Sequence, residues 1–252
     1  MAGLAHQIDM RFSQPAVLPV VHVVDEEQTI RNVARAVEAG ADGVFIIDYA
    51  TRLDAAGRPL LRKVNQTLRA EFGDYWLGVN LLGHSAVEAY LELDQAGWEV
   101  NALWDDAAPI SFGGVPHEIM NLQNFRAGGR IGQIKYFGGI AHKGSGYTDH
   151  PGVAARLADL AAPYLDVVVT TGPGTGRPIG LDKVMAMEKE LAGRRPLAIA
   201  SGVSQANVEQ LLPYIDAIMV ASSIETSPMS GEFDDIALHA LVREVRRLAA
   251  VD

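Results

Sequence analysis

Eight short apolar runs, each followed by a longer stretch of helical spacing, constrain the fold of this chain more than any other feature. The runs are AVLPVVHVV from Ala16, GVFIIDYA from Gly43, YWLGVNLL from Tyr75, EVNALW from Glu99, RIGQIKYF from Arg130, LDVVVTT from Leu165, PLAIAS from Pro196 and IDAIMVAS from Ile215. Between them lie amphipathic segments such as EEQTIRNVARAVEAG, with Ile30, Val33 and Val37 on one stripe, and SQANVEQLLPY, with Val208, Leu211 and Leu212. Several end at glycine (Gly40, Gly73, Gly97, Gly193), which suits a helix terminus. This regular alternation predicts an α/β fold, a single (β/α)8 TIM barrel over residues 1–252 with residues 1–15 as an N-terminal extension.

An open doubly wound sheet is the alternative. The runs are evenly spaced, with no break to mark a switch of domains. After the first run comes VDEEQT, without the Gly-rich turn that a dinucleotide-binding sheet places there. The glycine and serine loops come late, after runs six, seven and eight, where barrels build phosphate sites. All three observations favour the barrel.

Charge and cysteine content narrow the function. A net charge of −10 argues against a nucleic-acid backbone as partner, so any phosphate bound should belong to a small molecule. With no cysteine, disulfides, thiolate nucleophiles and Cys-ligated metals are excluded, and a reducing cytoplasm fits. The N-terminal segment MAGLAHQIDMRFSQP lacks the pattern of a signal peptide, and no apolar run approaches the ~20 residues of a membrane span. Neither membrane insertion nor cleavage is expected. Homo-oligomer formation stays open.

Chemistry in a barrel belongs to the C-terminal ends of the strands. Asp42, Asp166 and Asp216 precede their runs and read as turn residues of the opposite end. His22, Asp48, Asp105 and Lys135 read as the catalytic set at the mouth: Asp48 as base, His22 as acid or orienting group, Asp105 with Lys135 polarising the substrate. Asp105 and Asp106 are adjacent in an extended segment, so only one of them should face the mouth. Lys135, a lysine within a strand, should be a Schiff-base former, an anion clamp or a carboxylate's partner. No cofactor and no metal ligand set is expected; a divalent cation held by His22, Asp25, Asp48 and Asp105 is the alternative, without a spacing signature behind it. The KGSGYTDHPG loop, with His142, Lys143 and His150 in or beside it, suggests a lid that carries a cation.

The late loops give the strongest local signal. TTGPGTGRPIG supplies Gly172, Gly174 and Gly176; ASGVSQANVEQL supplies Ser201 and Gly202 before a helix expected to start near Ser204; ASSIE supplies Ser222 and Ser223. Small residues admit backbone close to a ligand, and hydroxyls and helix N-termini donate to anions. Gly172, Gly174, Ser201, Gly202, Ser222 and Ser223 are therefore the expected phosphate rim. No Gly-Lys-Ser/Thr follows the glycines, so this is not a P-loop.

These residues also carry a family resemblance. TTGPGTGRP with LDKV, ASGVSQANVEQLLPYIDAIMVASSIE and GVNLLGHSAVEAYLELDQAG resemble the BtpA family, including its SgcQ-type members, most closely over residues 165 to 225. That family is similar to the ribulose-phosphate-binding barrels, which grip a substrate phosphate with the loops after strands 7 and 8. The resemblance implies a phosphorylated small-molecule substrate. The sequence departs from it at HVVDEEQT and YFGGIAHKG, where other residues are expected at the mouth.

Together these readings predict an enzyme for a phosphorylated sugar or nucleotide-like molecule, using acid–base chemistry of the isomerase or lyase type. N-glycosidic cleavage or ribosyl transfer is one alternative. A non-catalytic binding or assembly factor, as the family's link to photosystem I biogenesis suggests, is another.

Overall fold

The computed structural model describes residues 15–48, 59–127, 129–147, 150–227 and 230–250. The expected N-terminal extension lies almost wholly outside them. Eight parallel strands close into one barrel in chain order: β1 (Ala16–Val23), β2 (Val44–Asp48), β3 (Leu77–Asn80), β4 (Ala102–Asp105), β5 (Lys135–Gly139), β6 (Val167–Thr170), β7 (Leu197–Ala200) and β8 (Ala217–Val220). The helices alternate with them as α1 (Glu26–Glu38), α2 (Pro59–Phe72), α3 (Ala86–Gln95), α4 (His117–Arg126), α5 (Pro151–Ala161), α6 (Leu181–Leu191), α7 (Val208–Leu211) and α8 (Asp235–Ala249). The chain is thus the (β/α)8 barrel that the alternation predicts. Among the described residues no helix is long and apolar enough to cross a membrane.

Strand residues sort by period two into two cores. Val17, Val21, Ile46, Leu103 and Tyr136 face outward beneath the helices. Leu18, Val20, Phe45, Ile47, Trp104 and Phe137 fill the barrel interior. The interior is lopsided. On one side Phe45 meets Trp76, Trp104 and Phe137 edge to face, with ring centroids 5.2, 5.9 and 5.2 Å apart. Gly78 makes room for them, because a Cβ there would lie 2.2 Å from the Phe45 ring. On the other side β7 and β8 contribute Ala198, Ala200, Ala217 and Met219.

The aspartates that precede strands hold the far end shut, as expected. Asp42 accepts from the Val17 N–H (2.7 Å) and pairs with Arg246 (2.6 Å). Asp166 accepts from the Tyr136 N–H (2.7 Å) and from Arg126, and Asp216 from the Leu197 N–H (2.8 Å). Each carboxylate satisfies a strand-initial donor that the ladder leaves without a partner.

Two local departures matter for the site. Arg130–Gln133 form a 3-10 turn instead of the start of a strand, because Gly132 packs against the end of α4, where a Cβ would lie 2.2 Å from the Arg126 carbonyl oxygen. As a result β5 starts late, at Lys135. After β7, residues 204–207 form a turn closed by Asn207 N–H to Ser204 O (3.2 Å), and α7 starts only at Val208.

Candidate active site

A cavity of about 920 Å³ opens at the C-terminal mouth of the barrel, lined by residues from β1, β2, β4, β7 and β8 and by the loops that follow β3 to β8. His22, one of the expected catalytic residues, is among them. It is the inward residue that follows Leu18 and Val20 on β1, and its Nδ1 lies 2.9 Å from a Glu225 carboxylate oxygen whose side chain is fully buried. That contact fixes the orientation of the ring. Glu225 belongs to the ASSIE segment, beyond the hydroxyls on which the sequence reading relied.

At β4 the alternation selects Asp106, not Asp105. Ala102 and Trp104 point inward, and Asp106 continues that side into the cavity wall. Asp105 turns outward, where it accepts from the Tyr136 hydroxyl (2.9 Å) and from the Ala107 N–H (3.0 Å). Burial pushes the Asp106 carboxyl above its ordinary pKa. Lys143 and Asn80 pull it the other way, the Asn80 Nδ2 being close enough to favour the anion but outside hydrogen-bond geometry.

Gly139 explains how Asp106 reaches the mouth. The backbone of residues 106–108 crosses the end of β5, with the Ala108 N–H donating to the Gly139 carbonyl (3.0 Å). A Cβ on Gly139 would stand 1.9 Å from the Asp106 carbonyl oxygen. Glycine in YFGGIAHKG is therefore what lets the loop after β4 fold over the barrel.

The remaining expected catalytic residues lie elsewhere. Asp48 is buried, but at period two it shares the outward side of β2 with Val44 and Ile46, while Ile47 lines the cavity. Lys135 is the first residue of β5 and pairs in register with Ala102, the first of β4, so it stands at the opposite end of the barrel. Asp25 caps α1, accepting from the Gln28 N–H at 2.7 Å. The four residues of the cation alternative are not assembled, and no group of three or more His, Asp or Glu among the described residues is placed to hold a metal.

Among the described residues, the lysine that lines the cavity is Lys143, from the loop after β5. Its N–H donates to the Thr171 Oγ1 (2.7 Å) and its Nζ to the Thr175 Oγ1 (3.0 Å), which joins that loop to the loop after β6. A second lysine supports both loops from below. Lys183, buried on α6, donates to the Ala141 carbonyl (2.7 Å) and the Thr171 carbonyl (2.9 Å).

Of the expected rim, Ser201, Gly202, Ser222 and Ser223 line the cavity, and Gly172 and Gly174 do not. Gly172 and Gly202 serve packing: a Cβ on either would meet the Arg177 carbonyl oxygen, at 2.3 and 2.2 Å. Thr171, Thr175, Gly176 and Pro178 are the parts of TTGPGTGRPIG that reach the cavity. Ser201 has a φ of 82°, rare for a residue with a side chain, and its Oγ accepts from the Gly176 N–H (3.1 Å). The helix N-terminus expected near Ser204 is displaced, and the Ser204 N–H is taken by the Asn207 side chain (2.9 Å).

Comparison with protein-family models matches none of them. The BtpA resemblance thus rests on the quoted residues alone. An uncharacterized protein of Thermococcus kodakarensis is 27% identical over 220 residues, covering 79% of this chain and 77% of its own. Among solved structures, (S)-3-O-geranylgeranylglyceryl phosphate synthase of Thermoplasma acidophilum, in complex with sn-glycerol-1-phosphate, superposes with a TM-score of 0.66 at 16% identity, covering 97% of this chain and all of that one (100%). Phosphoribosyl anthranilate isomerase of Thermus thermophilus gives 0.61 at 15% identity, over 92% and 99% of the two chains. At such identities the likeness establishes the fold.

Proposed function

We propose that this chain is an enzyme acting on a phosphorylated small molecule at the barrel mouth by proton transfer, of the isomerase or lyase type. The observation that carries the reading is the meeting of three groups on one cavity: His22 held by buried Glu225, Asp106 with a raised pKa, and Lys143. His22 and Asp106 come from strands three apart around the barrel, so a substrate between them meets one group that can take a proton and another that can return it. Asp106 thus takes the role that the sequence assigned to Asp48. Lys143 would stabilise negative charge on the substrate, and the hydroxyls of Ser201, Ser222 and Ser223 would receive the phosphate. The named activities of the structurally similar barrels, a phosphoribosyl isomerase and a synthase holding glycerol phosphate, support this choice of substrate class.

A thermal-shift screen of phosphorylated sugars and nucleotides tests binding. Ser201→Asp and Ser222→Asp should each abolish the response to a compound that stabilises the parent. A response of parental size in both variants rules out the rim. For a compound that turns over, His22→Asn and Asp106→Asn should each lower the rate at least ~100-fold. Parental rates would remove that pair from the mechanism.

A further inference from the structure

Resting on the reading above, we infer that the body attached to the substrate's phosphate is largely apolar, aryl or branched alkyl, and not a polyol. The lopsided interior is the reason. Aromatic rings fill the barrel on the side of β2 to β5, whereas Ala200 and Met219 floor the cavity on the side of β7 and β8, directly below the serine rim. The remaining lining sets Val20, Ile47, Leu82, Trp104 and Val203 beside the polar groups His22, Asp106, Lys143, Thr171 and Thr175. Within the apolar part of that lining the indole N–H of Trp104 is the single polar atom, buried and without a hydrogen-bond partner among the described residues.

The cavity, about 920 Å³, has the volume of some thirty waters at ~30 Å³ each, and a phosphate at the rim fills a small share of it. What lies below must give up its hydration to walls that are largely apolar. Each sugar hydroxyl buried there without a partner would lower affinity roughly five- to a hundredfold. Each buried methylene would raise it about fourfold. Apart from the groups assigned above to proton transfer and to the phosphate, the indole donor suits a body with one acceptor, not a ring of hydroxyls.

The test measures dissociation constants by calorimetry for inorganic phosphate, methyl, butyl, hexyl and phenyl phosphate, ribose 5-phosphate and hexanol, on the parent and on Ala200→Leu. Affinity should climb about fourfold per methylene along the alkyl series. Ribose 5-phosphate should bind no better than methyl phosphate. Ala200→Leu should flatten the series and leave inorganic phosphate unchanged. If Ala200→Leu fails to fold, Val203→Thr, nearly equal in shape, should weaken hexyl phosphate at least fivefold and spare inorganic phosphate. A flat alkyl series with tight ribose 5-phosphate binding overturns the inference and leaves the phosphate reading intact. Hexanol binding as tightly as hexyl phosphate removes the phosphate reading and keeps the apolar floor. Absence of binding by every compound removes both.

Discussion

Gly139→Ala is the smallest change that should disconnect fold from function. The added Cβ would sit 1.9 Å from the Asp106 carbonyl oxygen and 2.5 Å from its carbonyl carbon, and real Cβ contacts essentially never fall below 3.0 Å. Both atoms are backbone, so no side chain can swing aside. The loop after β4 must retreat by roughly 1 Å or more, with an overpacking cost of about 1–3 kcal/mol. For a domain of this size that is a fall in Tm of roughly 3–10 °C. The same retreat strains the Ala108 N–H to Gly139 hydrogen bond and carries Asp106 away from the cavity. A displacement of ~1 Å at a reacting group costs on the order of 100-fold in rate. Differential scanning calorimetry, with and without a stabilising phosphorylated compound, reads the first effect, and turnover of that compound the second. Gly152→Ala is the control, since a Cβ there meets nothing within 4 Å, and it should change stability by less than ~1 kcal/mol and turnover not at all. A Gly139→Ala protein with parental Tm and turnover would refute the claim that glycine at this position sets the path of the loop.

Lys183→Met should cost about 2–4 kcal/mol in urea unfolding, because two buried carbonyls, those of Ala141 and Thr171, lose their donor; parental stability would show that the lysine is not what ties these loops. Asp106→Asn should alter the pH dependence of stability. The folded-state pKa of Asp106 lies above the ordinary 3.8, so its contribution is fully present below that value and is lost as pH rises through the raised pKa. Asparagine has no such loss. The variant's stability relative to the parent should therefore grow from about pH 4 toward neutrality in urea titrations, and a gap constant with pH would contradict the assignment.

The barrel was legible because its signal is repeated. Eight apolar runs broken by amphipathic segments leave few other ways to bury this much apolar surface, and the aspartates before the strands could be placed at the closed end from position alone. His22 was legible for the same reason, standing in a run whose alternation continues to the mouth. Asp48 and Asp105 were not, since a run of apolar residues does not say which of its two sides faces inward, and a one-residue difference reverses every side chain. Neighbouring strands settle that parity: Phe45 and Trp104 meet inside the barrel and send Asp48 and Asp105 outward. Lys135 changed ends because a glycine beneath α4 turned the first half of its run into a 3-10 turn, a contact between segments that no local pattern contains.

Glu225 on His22, Lys143 over Thr175 and the backbone of Arg177 against Gly172 and Gly202 join residues from different loops. The sequence by itself determined the architecture, the end of the barrel at which the cavity opens, and the serine loops beside it, because those follow from periodicity and chain order. Tertiary structure alone decided which carboxylate enters the cavity, which cation meets it, and that Ala200 and Met219 of β7 and β8 form an apolar floor beneath the serines, because each depends on strands brought together by closure of the barrel.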